Sequence, residues 1–100
     1  MRVNYKDLVF AWDEDKNIKN TRKHKVTFFE GITVFDDDNA LYEKDEDHSE
    51  AEDRFRILGE SDAKRLLLVC HCCRDNDAVI RIISVRKATR HEKKRYGDAE

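Results

Sequence analysis

The chain of 100 residues contains several polar side chains that can move a proton or hold a phosphate group. Together they suit RNA cleavage without a metal ion. That reaction needs a base to take the proton of the ribose 2′-hydroxyl, cations to stabilise the charged phosphorane, and an acid for the leaving 5′ oxygen. Glu52 and His24 are the candidate bases. The candidate cations are Lys23, Arg54, Arg81 and Arg86. Each residue taken singly is also typical of a structural or solvated position.

A basic stretch near the C-terminal end suits a polyanionic partner. Residues 74–96 contain eight Arg and Lys against three acidic residues, whereas residues 36–53 contain ten acidic residues against one Lys. The formal net charge of −2 therefore conceals a basic face. Tyr96 can stack on a base or act as the acid. On charge alone, solvated surface explains both stretches as well. The candidate RNA-binding residues are Arg74, Lys87, Arg90 and Tyr96.

Other kinds of site are disfavoured. The sequence has no glycine-rich phosphate loop and no Gly-x-Ser-x-Gly motif. Cys70-His71-Cys72-Cys73 looks like a metal motif, but on a strand alternate residues point to opposite faces. At most two of these residues then bind one ion, and no second cluster completes a zinc site. We interpret the three cysteines as reduced thiols that pack as small hydrophobic residues, and we expect no metal and no cofactor.

Composition indicates one small domain covering residues 1–100. Hydrophobic residues make up 39% of the chain and charged residues 42%, and proline is absent, so a small core lies under a heavily charged surface. No stretch has the apolar length of a membrane span, and the start MRVNYKDL lacks the apolar core of a signal peptide. We therefore expect a cytoplasmic protein with no membrane partner.

Capping patterns predict two helices in the N-terminal half. Asp13 is a favourable N-cap for a helix that reaches His24. Thr27 followed by Glu30 fits a capping box for a second helix that ends near Phe35.

Strands are predicted by apolar runs and by alternation. In residues 52–58, Phe55 and Ile57 alternate with Arg54 and Arg56, which gives one core face and one charged face. The predicted strands are Leu8–Trp12, Ala40–Glu46, Glu52–Leu58, Arg65–Cys73 and Val79–Val85, and a third helix covers Lys87–Tyr96. The predicted fold class is α+β, an antiparallel sheet with two N-terminal helices and one C-terminal helix.

A longer series of residues resembles the BrnT family, the toxins of type II toxin-antitoxin modules. The resemblance runs from about Phe10 to Tyr96, in the same order and at similar spacings. It is carried by Trp12-Asp13, Lys16, Asn20, Lys23-His24, Val26, Phe28, Val34-Phe35, Asp37, His48-Ser49, Glu52, Arg54, Gly59, Arg81-Ile82-Ile83-Ser84, Arg86, Ala88, Thr89, Glu92 and Tyr96.

The resemblance implies a RelE-like fold and a ribonuclease that blocks translation by cutting RNA. It also implies neutralisation by a BrnA-type antitoxin. Such antitoxins typically carry a ribbon-helix-helix domain, so that operator DNA is contacted only through the antitoxin. The resemblance does not say which residue is the base. It gives functional weight to Lys23, His24, Glu52, Arg54, Arg81 and Arg86.

The sequence departs from the usual pattern of that family at a few positions. Gly31 stands where alanine is usual, and Lys64 stands where glycine is frequent before the central strand. His71 and Cys73 stand where related strands often carry tyrosine.

Two hypotheses from different classes follow. The first is a metal-independent endoribonuclease that leaves a 2′,3′-cyclic phosphate. The second is a non-catalytic interaction module whose basic C-terminal helix binds a partner protein or nucleic acid. Glu52 and Arg54 are predicted on the same strand face, and a carboxylate beside a guanidinium suits a cleavage site. This favours the first hypothesis, although an exposed ion pair explains the same pattern.

Overall fold

A computed structural model of the chain describes residues 1–49 and 52–98, and its strands form one six-stranded sheet. The strands are β1 (Arg2–Tyr5), β2 (Leu8–Ala11), β3 (Leu41–Lys44), β4 (Arg54–Glu60), β5 (Leu66–Arg74) and β6 (Val79–Lys87), in the spatial order β1-β2-β6-β5-β4-β3. The helices are α1 (Glu14–His24), α2 (Phe28–Ile32) and α3 (Arg90–Asp98), with short 3-10 helices at Thr33–Asp36 and Glu46–His48. The fold is therefore mixed α+β.

The prediction of a wholly antiparallel sheet is wrong at one pair of strands. β2 runs parallel to β6, with Phe10 opposite Ile80, whereas the other neighbouring strands are antiparallel. The sequence also gave no signal for β1. It pairs with β2 through a turn in which Lys6 and Asp7 have φ of 47° and 69°, a conformation that Gly or Asn normally marks.

α1 and α2 cover one face of the sheet and enclose the core there. The core residues are Phe10, Trp12, Val26, Phe28, Ile32, Val34, Ile57, Leu67, Val69, Ile82 and Val85. A Cβ atom on Gly31 of α2 would lie 2.5 Å from Cγ2 of Val85. Glycine at this position therefore reflects the close approach of α2 to β6. Lys64 has φ of 64°, which explains why glycine suits that turn.

Asn20 of α1 completes the backbone hydrogen bonding of β6. The pairing of β2 with β6 ends at Ala11 opposite Arg81. Farther along β6, Asn20 Nδ2 donates to the carbonyl oxygen of Val85 at 2.8 Å, and Asn20 Oδ1 accepts from the Val85 N–H at 3.1 Å. The same amide nitrogen donates to the carbonyl oxygen of Val26 at 3.1 Å. One buried side chain thus fixes both α1 and the segment after it against β6.

The third helix begins at Arg90 because Thr89 is its N-cap, so the predicted start at Lys87 is wrong. Thr89 Oγ1 accepts from the Glu92 N–H at 3.2 Å, and Glu92 Oε1 accepts from the Thr89 N–H at 2.9 Å, which is a reciprocal capping box. Glu92 also accepts from both terminal nitrogens of Arg86, at 2.7 and 2.9 Å. These hydrogen bonds from Arg86 are the main reason that the pKa of Glu92 falls to about 2.

Replacing Asn20 with leucine tests its role in holding β6. Asn20→Leu keeps the side-chain size but leaves the Val85 N–H and carbonyl groups buried without partners. We expect the free energy of unfolding to fall by about 2–4 kcal/mol, measured by urea denaturation. Lys19→Leu, at an exposed neighbouring position, is the control and should change stability by less than about 0.5 kcal/mol. Equal stabilities of the two variants would contradict the assignment.

Replacing Glu92 with glutamine tests the ion pair between Arg86 and α3. The folded state lowers the pKa of Glu92, so its stabilisation is present above pH 4.5 and is lost as pH falls toward about 2. Glu92→Gln should cost about 1–2 kcal/mol at pH 7, a value reduced for water screening around Arg86. The difference in unfolding free energy from the wild type should shrink steadily below pH 4.5. A difference that is independent of pH would show that this pair contributes no charge-dependent stability.

Candidate active site

Four arginines of β4 and β6 lie on the sheet face opposite α1 and α2. We call this surface the arginine face and define it by Arg54, Arg56, Arg81 and Arg86. In β4 the arginines alternate with Phe55 and with the fully buried Ile57, which confirms the predicted two-sided pattern. In β6, Arg81 lies opposite Cys72 and Arg86 lies opposite Leu68, and both of these β5 residues share the face of Arg54 and Arg56. The β5–β6 pairing skips Ile83, and this irregularity places Arg81 and Arg86 on the same face although they are five residues apart.

Small side chains of β5 form the floor between the two rows of arginines. Cys72 is paired with Arg54 on one side and with Arg81 on the other. Cys70 is paired with Arg56 and with Ser84. Neighbouring strands lie about 4.8 Å apart, so the backbones of Arg54 and Arg81 are about 10 Å apart. Two rows of arginines separated by small side chains suit a nucleic-acid backbone.

The arginines of this face differ in whether an acidic side chain already pairs with them. Arg86 is fixed by Glu92, and Arg56 pairs with Glu43 at 3.1 Å. The Nε atom of Arg56 is buried and has no hydrogen-bond partner among the described residues. Within residues 1–49 and 52–98, no ion pair or hydrogen bond engages the guanidinium group of Arg54 or of Arg81. These two guanidinium groups are therefore the ones most available to an anion.

A histidine and an aspartate lie at the end of the arginine face. Nδ1 of His48 is 3.1 Å from both carboxylate oxygens of Asp45, and the His48 side chain is 66% exposed. A carboxylate can only accept, so Nδ1 carries the proton in the neutral ring and Nε2 is left as the acceptor. Asp45 thus fixes the tautomer and orientation that a general base needs.

Backbone contacts hold this Asp45–His48 pair beside Arg54. The Asp45 N–H donates to the carbonyl oxygen of Arg54 at 2.7 Å, and the Arg54 N–H donates to Ser49 Oγ at 3.0 Å. Burial acts to raise the pKa of Asp45, but the hydrogen bond with His48 and the charge of Arg56 hold it below its usual value. Asp45 therefore stays ionised near two residues of the arginine face.

The structure places the predicted catalytic residues in two regions. Arg54, Arg81 and Arg86 come together on the arginine face. Glu52 pairs with Arg74 at 3.0 Å just before β4. Lys23 and His24 lie instead in the last turn of α1, on the side of the sheet that the helices cover. No hydrogen bond or ion pair among the described residues joins Lys23 or His24 to the arginine face.

The predicted RNA-binding residues surround α3 and the β5–β6 turn. Arg74 is exposed and engaged by Glu52, while Lys87 and Arg90 are exposed on either side of the N-cap of α3. The Tyr96 hydroxyl donates to Oδ2 of Asp37 at 2.6 Å. This hydrogen bond fixes the end of α3 near β4.

Sequence reasoning missed Asp45, His48 and Arg56 as functional candidates. His48 carried a signal, since it belongs to the family resemblance and Asp45 precedes it at a spacing of i, i+3. The acidic stretch concealed that signal, because Asp45 is one of ten acidic residues in 36–53. Arg56 appeared only as part of an alternating pattern.

The described cysteines do not form a metal site, and the described helices do not suit membrane insertion. Cys70, Cys72 and Cys73 are free thiols, and Cys70 and Cys72 share one face as strand alternation predicts. Among the described residues, no group of three or more His, Cys, Asp or Glu side chains is placed to hold a metal ion. None of the described helices has the length and apolar character needed to cross a bilayer.

Comparison with known proteins identifies the family. Residues 12–92 match the family model of the BrnT ribonuclease toxin of type II toxin-antitoxin systems. The structure is similar to the crystal structure of the ribonuclease toxin BrnT of Brucella abortus, with a TM-score of 0.62 and 23% sequence identity over 81% of this chain and 96% of that chain. The search of curated proteins found no match. The family model spans most of this chain, and the chain therefore belongs to the BrnT family of ribonuclease toxins of type II toxin-antitoxin systems.

Proposed function

We propose that this BrnT-family toxin is a metal-independent endoribonuclease whose active site is the arginine face together with the Asp45–His48 pair. The observation that carries the proposal is the position of that pair. An oriented histidine is fixed by backbone hydrogen bonds beside Arg54, and Arg54 and Arg81 lie on either side of Cys72. A base beside two available cations is the arrangement that cleavage next to a ribose 2′-hydroxyl requires.

In the proposed reaction, His48 Nε2 takes the proton of the 2′-hydroxyl while Asp45 stabilises the imidazolium that forms. The 2′ oxygen attacks phosphorus, and the bond from phosphorus to the 5′ oxygen breaks. Arg54 and Arg81 stabilise the phosphorane from opposite sides of Cys72. The 5′ oxygen leaves with a proton from a water molecule, and the hydroxide that remains takes the proton from His48 Nε2. The products are a 2′,3′-cyclic phosphate and a 5′-hydroxyl.

The roles of the remaining candidates follow from their positions. Arg56 and Arg86 add positive charge at the border of the site, and Glu52 holds Arg74 at its entrance. Lys87, Arg90 and Tyr96 extend the contact with RNA along α3. Lys23 and His24 lie on the other side of the sheet from the arginine face, which favours His48 over His24 as the base.

We also propose the wider setting that the family resemblance implies. The whole chain acts as one RelE-like toxin domain in the cytoplasm and inhibits translation by cutting RNA. A BrnA-type antitoxin with a ribbon-helix-helix domain neutralises it, and operator DNA is contacted only through that antitoxin.

RNA cleavage by purified variants tests the site. With a synthetic RNA and chelator present, wild-type protein should leave 2′,3′-cyclic phosphate ends. His48→Gln should slow cleavage by about 100-fold or more, because the base is lost. Arg81→Ala should have a comparable effect, because a transition-state cation is lost. Circular dichroism should show that both variants remain folded.

Matched substitutions serve as controls. His91→Gln changes an exposed histidine of α3 and Lys19→Ala removes an exposed charge of α1, and both should cleave at the wild-type rate. His24→Gln and Glu52→Gln test the other two bases. If either abolishes cleavage while His48→Gln does not, the assignment of the base is wrong. A folded wild-type protein that leaves RNA intact would support the interaction module instead.

A further inference from the structure

An apolar groove of about 370 Å³ lies on the sheet face opposite the arginine face. It crosses the strands beyond the end of α2, and its apolar walls are Leu8, Phe35, Tyr42, Phe55 and Ile80. Tyr42 is 62% exposed and Leu8 is 38% exposed, although both are large and largely apolar. Exposed apolar side chains around a concave surface are typical of a binding site for a protein partner.

A buried histidine also lines this groove. His71 is only 5% exposed, and the rings of Phe35 and Phe55 lie 5.0 and 6.1 Å from its ring. Its Nδ1 atom is 3.3 Å from the carbonyl oxygen of Val69, which can only accept. Nδ1 therefore carries the proton and Nε2 is an acceptor. Nε2 has no hydrogen-bond partner in the described part of the chain and is not fully buried. A ligand that fills the groove can supply the missing donor.

The charge that acts on the groove is negative. Lys6 pairs with Asp36 at 3.1 Å and Lys44 pairs with Asp53 at 3.2 Å, so neither lysine adds net positive charge near the groove. Burial and the charge of Asp77 raise the pKa of the Cys73 thiol in the groove. The rim therefore favours a basic occupant and repels phosphate.

The groove and the arginine face cannot be the same binding surface. Phe55 lies between Arg54 and Arg56 in β4, and Ile80 precedes Arg81 in β6, so alternation sends these neighbours to opposite sides of the sheet. RNA held by the arginines thus leaves the groove uncovered. The family requires a second macromolecule besides RNA, because a type II module includes an antitoxin protein.

We propose that the groove is an anchoring site for the antitoxin and accepts a large apolar side chain that is flanked in the antitoxin by Lys or Arg. This inference rests on the proposed toxin function. An antitoxin segment that leaves the groove crosses β3, the edge strand that carries Tyr42. On the other face of the sheet it reaches Glu43, which is paired with Arg56. The antitoxin can thus be held on one face of the sheet and cover the active site on the other.

Calorimetric titration of the full-length toxin with its cognate antitoxin tests this surface. Leu8→Asp and Tyr42→Asp add charge to the groove at exposed positions, and the binding energy of a buried anchor predicts affinity at least about tenfold weaker. Ile18→Asp is the matched control, because Ile18 is 43% exposed on α1, outside the groove. It should bind with wild-type affinity. All three free toxins should cleave RNA at the wild-type rate.

Several results would overturn the proposal. One is wild-type antitoxin affinity in both groove variants, and another is an equal loss of affinity in Ile18→Asp. A third is slower RNA cleavage by the groove variants with unchanged antitoxin binding. Light scattering tests whether a second copy of the toxin occupies the groove. If the wild type is a dimer, and Tyr42→Asp dissociates it without changing antitoxin affinity, the groove would be assigned to self-association. A wild-type protein that cleaves no RNA, with antitoxin binding still lost in the groove variants, would refute the nuclease and leave the docking site intact.

Discussion

The two-residue alternation of side chains along β4 and β5, which β6 follows on each side of the irregularity at Ile83, is the constraint on which the rest of this structure depends. It sends Ile57, Val69 and Val85 into the core under α1 and α2, and it sends the arginines to the opposite face. A register shift of one residue would bury the arginines and expose the core, so hydrophobic burial fixes the cationic surface indirectly. Asn20 supports this arrangement, because it completes the hydrogen bonding of β6 where β2 ends.

Features set by neighbouring residues could be predicted from the sequence. The caps at Asp13 and Thr27 were confirmed, since Asp13 accepts from the Asp15 N–H at 2.9 Å and Thr27 accepts from the Glu30 N–H at 3.1 Å. Features set by distant contacts could not be predicted. The parallel pairing of β2 with β6 joins residues far apart in the chain, and no local pattern specifies it. β1 was missed because its turn uses Lys6 and Asp7 in place of the usual turn residues.

The candidate site shows the same division. The alternation of residues in β4 predicts the face of the sheet on which Arg54 lies. Its position opposite Arg81, with Cys72 between them, depends on the strand order, which the sequence does not specify. The acidic and basic stretches appear separate in the sequence but meet in the fold. Glu43 of the acidic stretch pairs with Arg56 and with Arg95, and Asp37 accepts the Tyr96 hydroxyl. Ion pairing engages part of the basic face, and Arg54 and Arg81, whose guanidinium groups have no partner among residues 1–49 and 52–98, form the centre of the candidate site.

The most direct test of the account is an NMR titration with a non-cleavable RNA in which the 2′-hydroxyls are methylated. The account predicts chemical-shift changes at the guanidinium Nε–H groups of Arg54 and Arg81 and at the ring of His48. It also predicts that Leu8 and Ile80, on the other side of the sheet, remain unchanged. Changes centred on Lys23 and His24, or on the groove, would contradict the account.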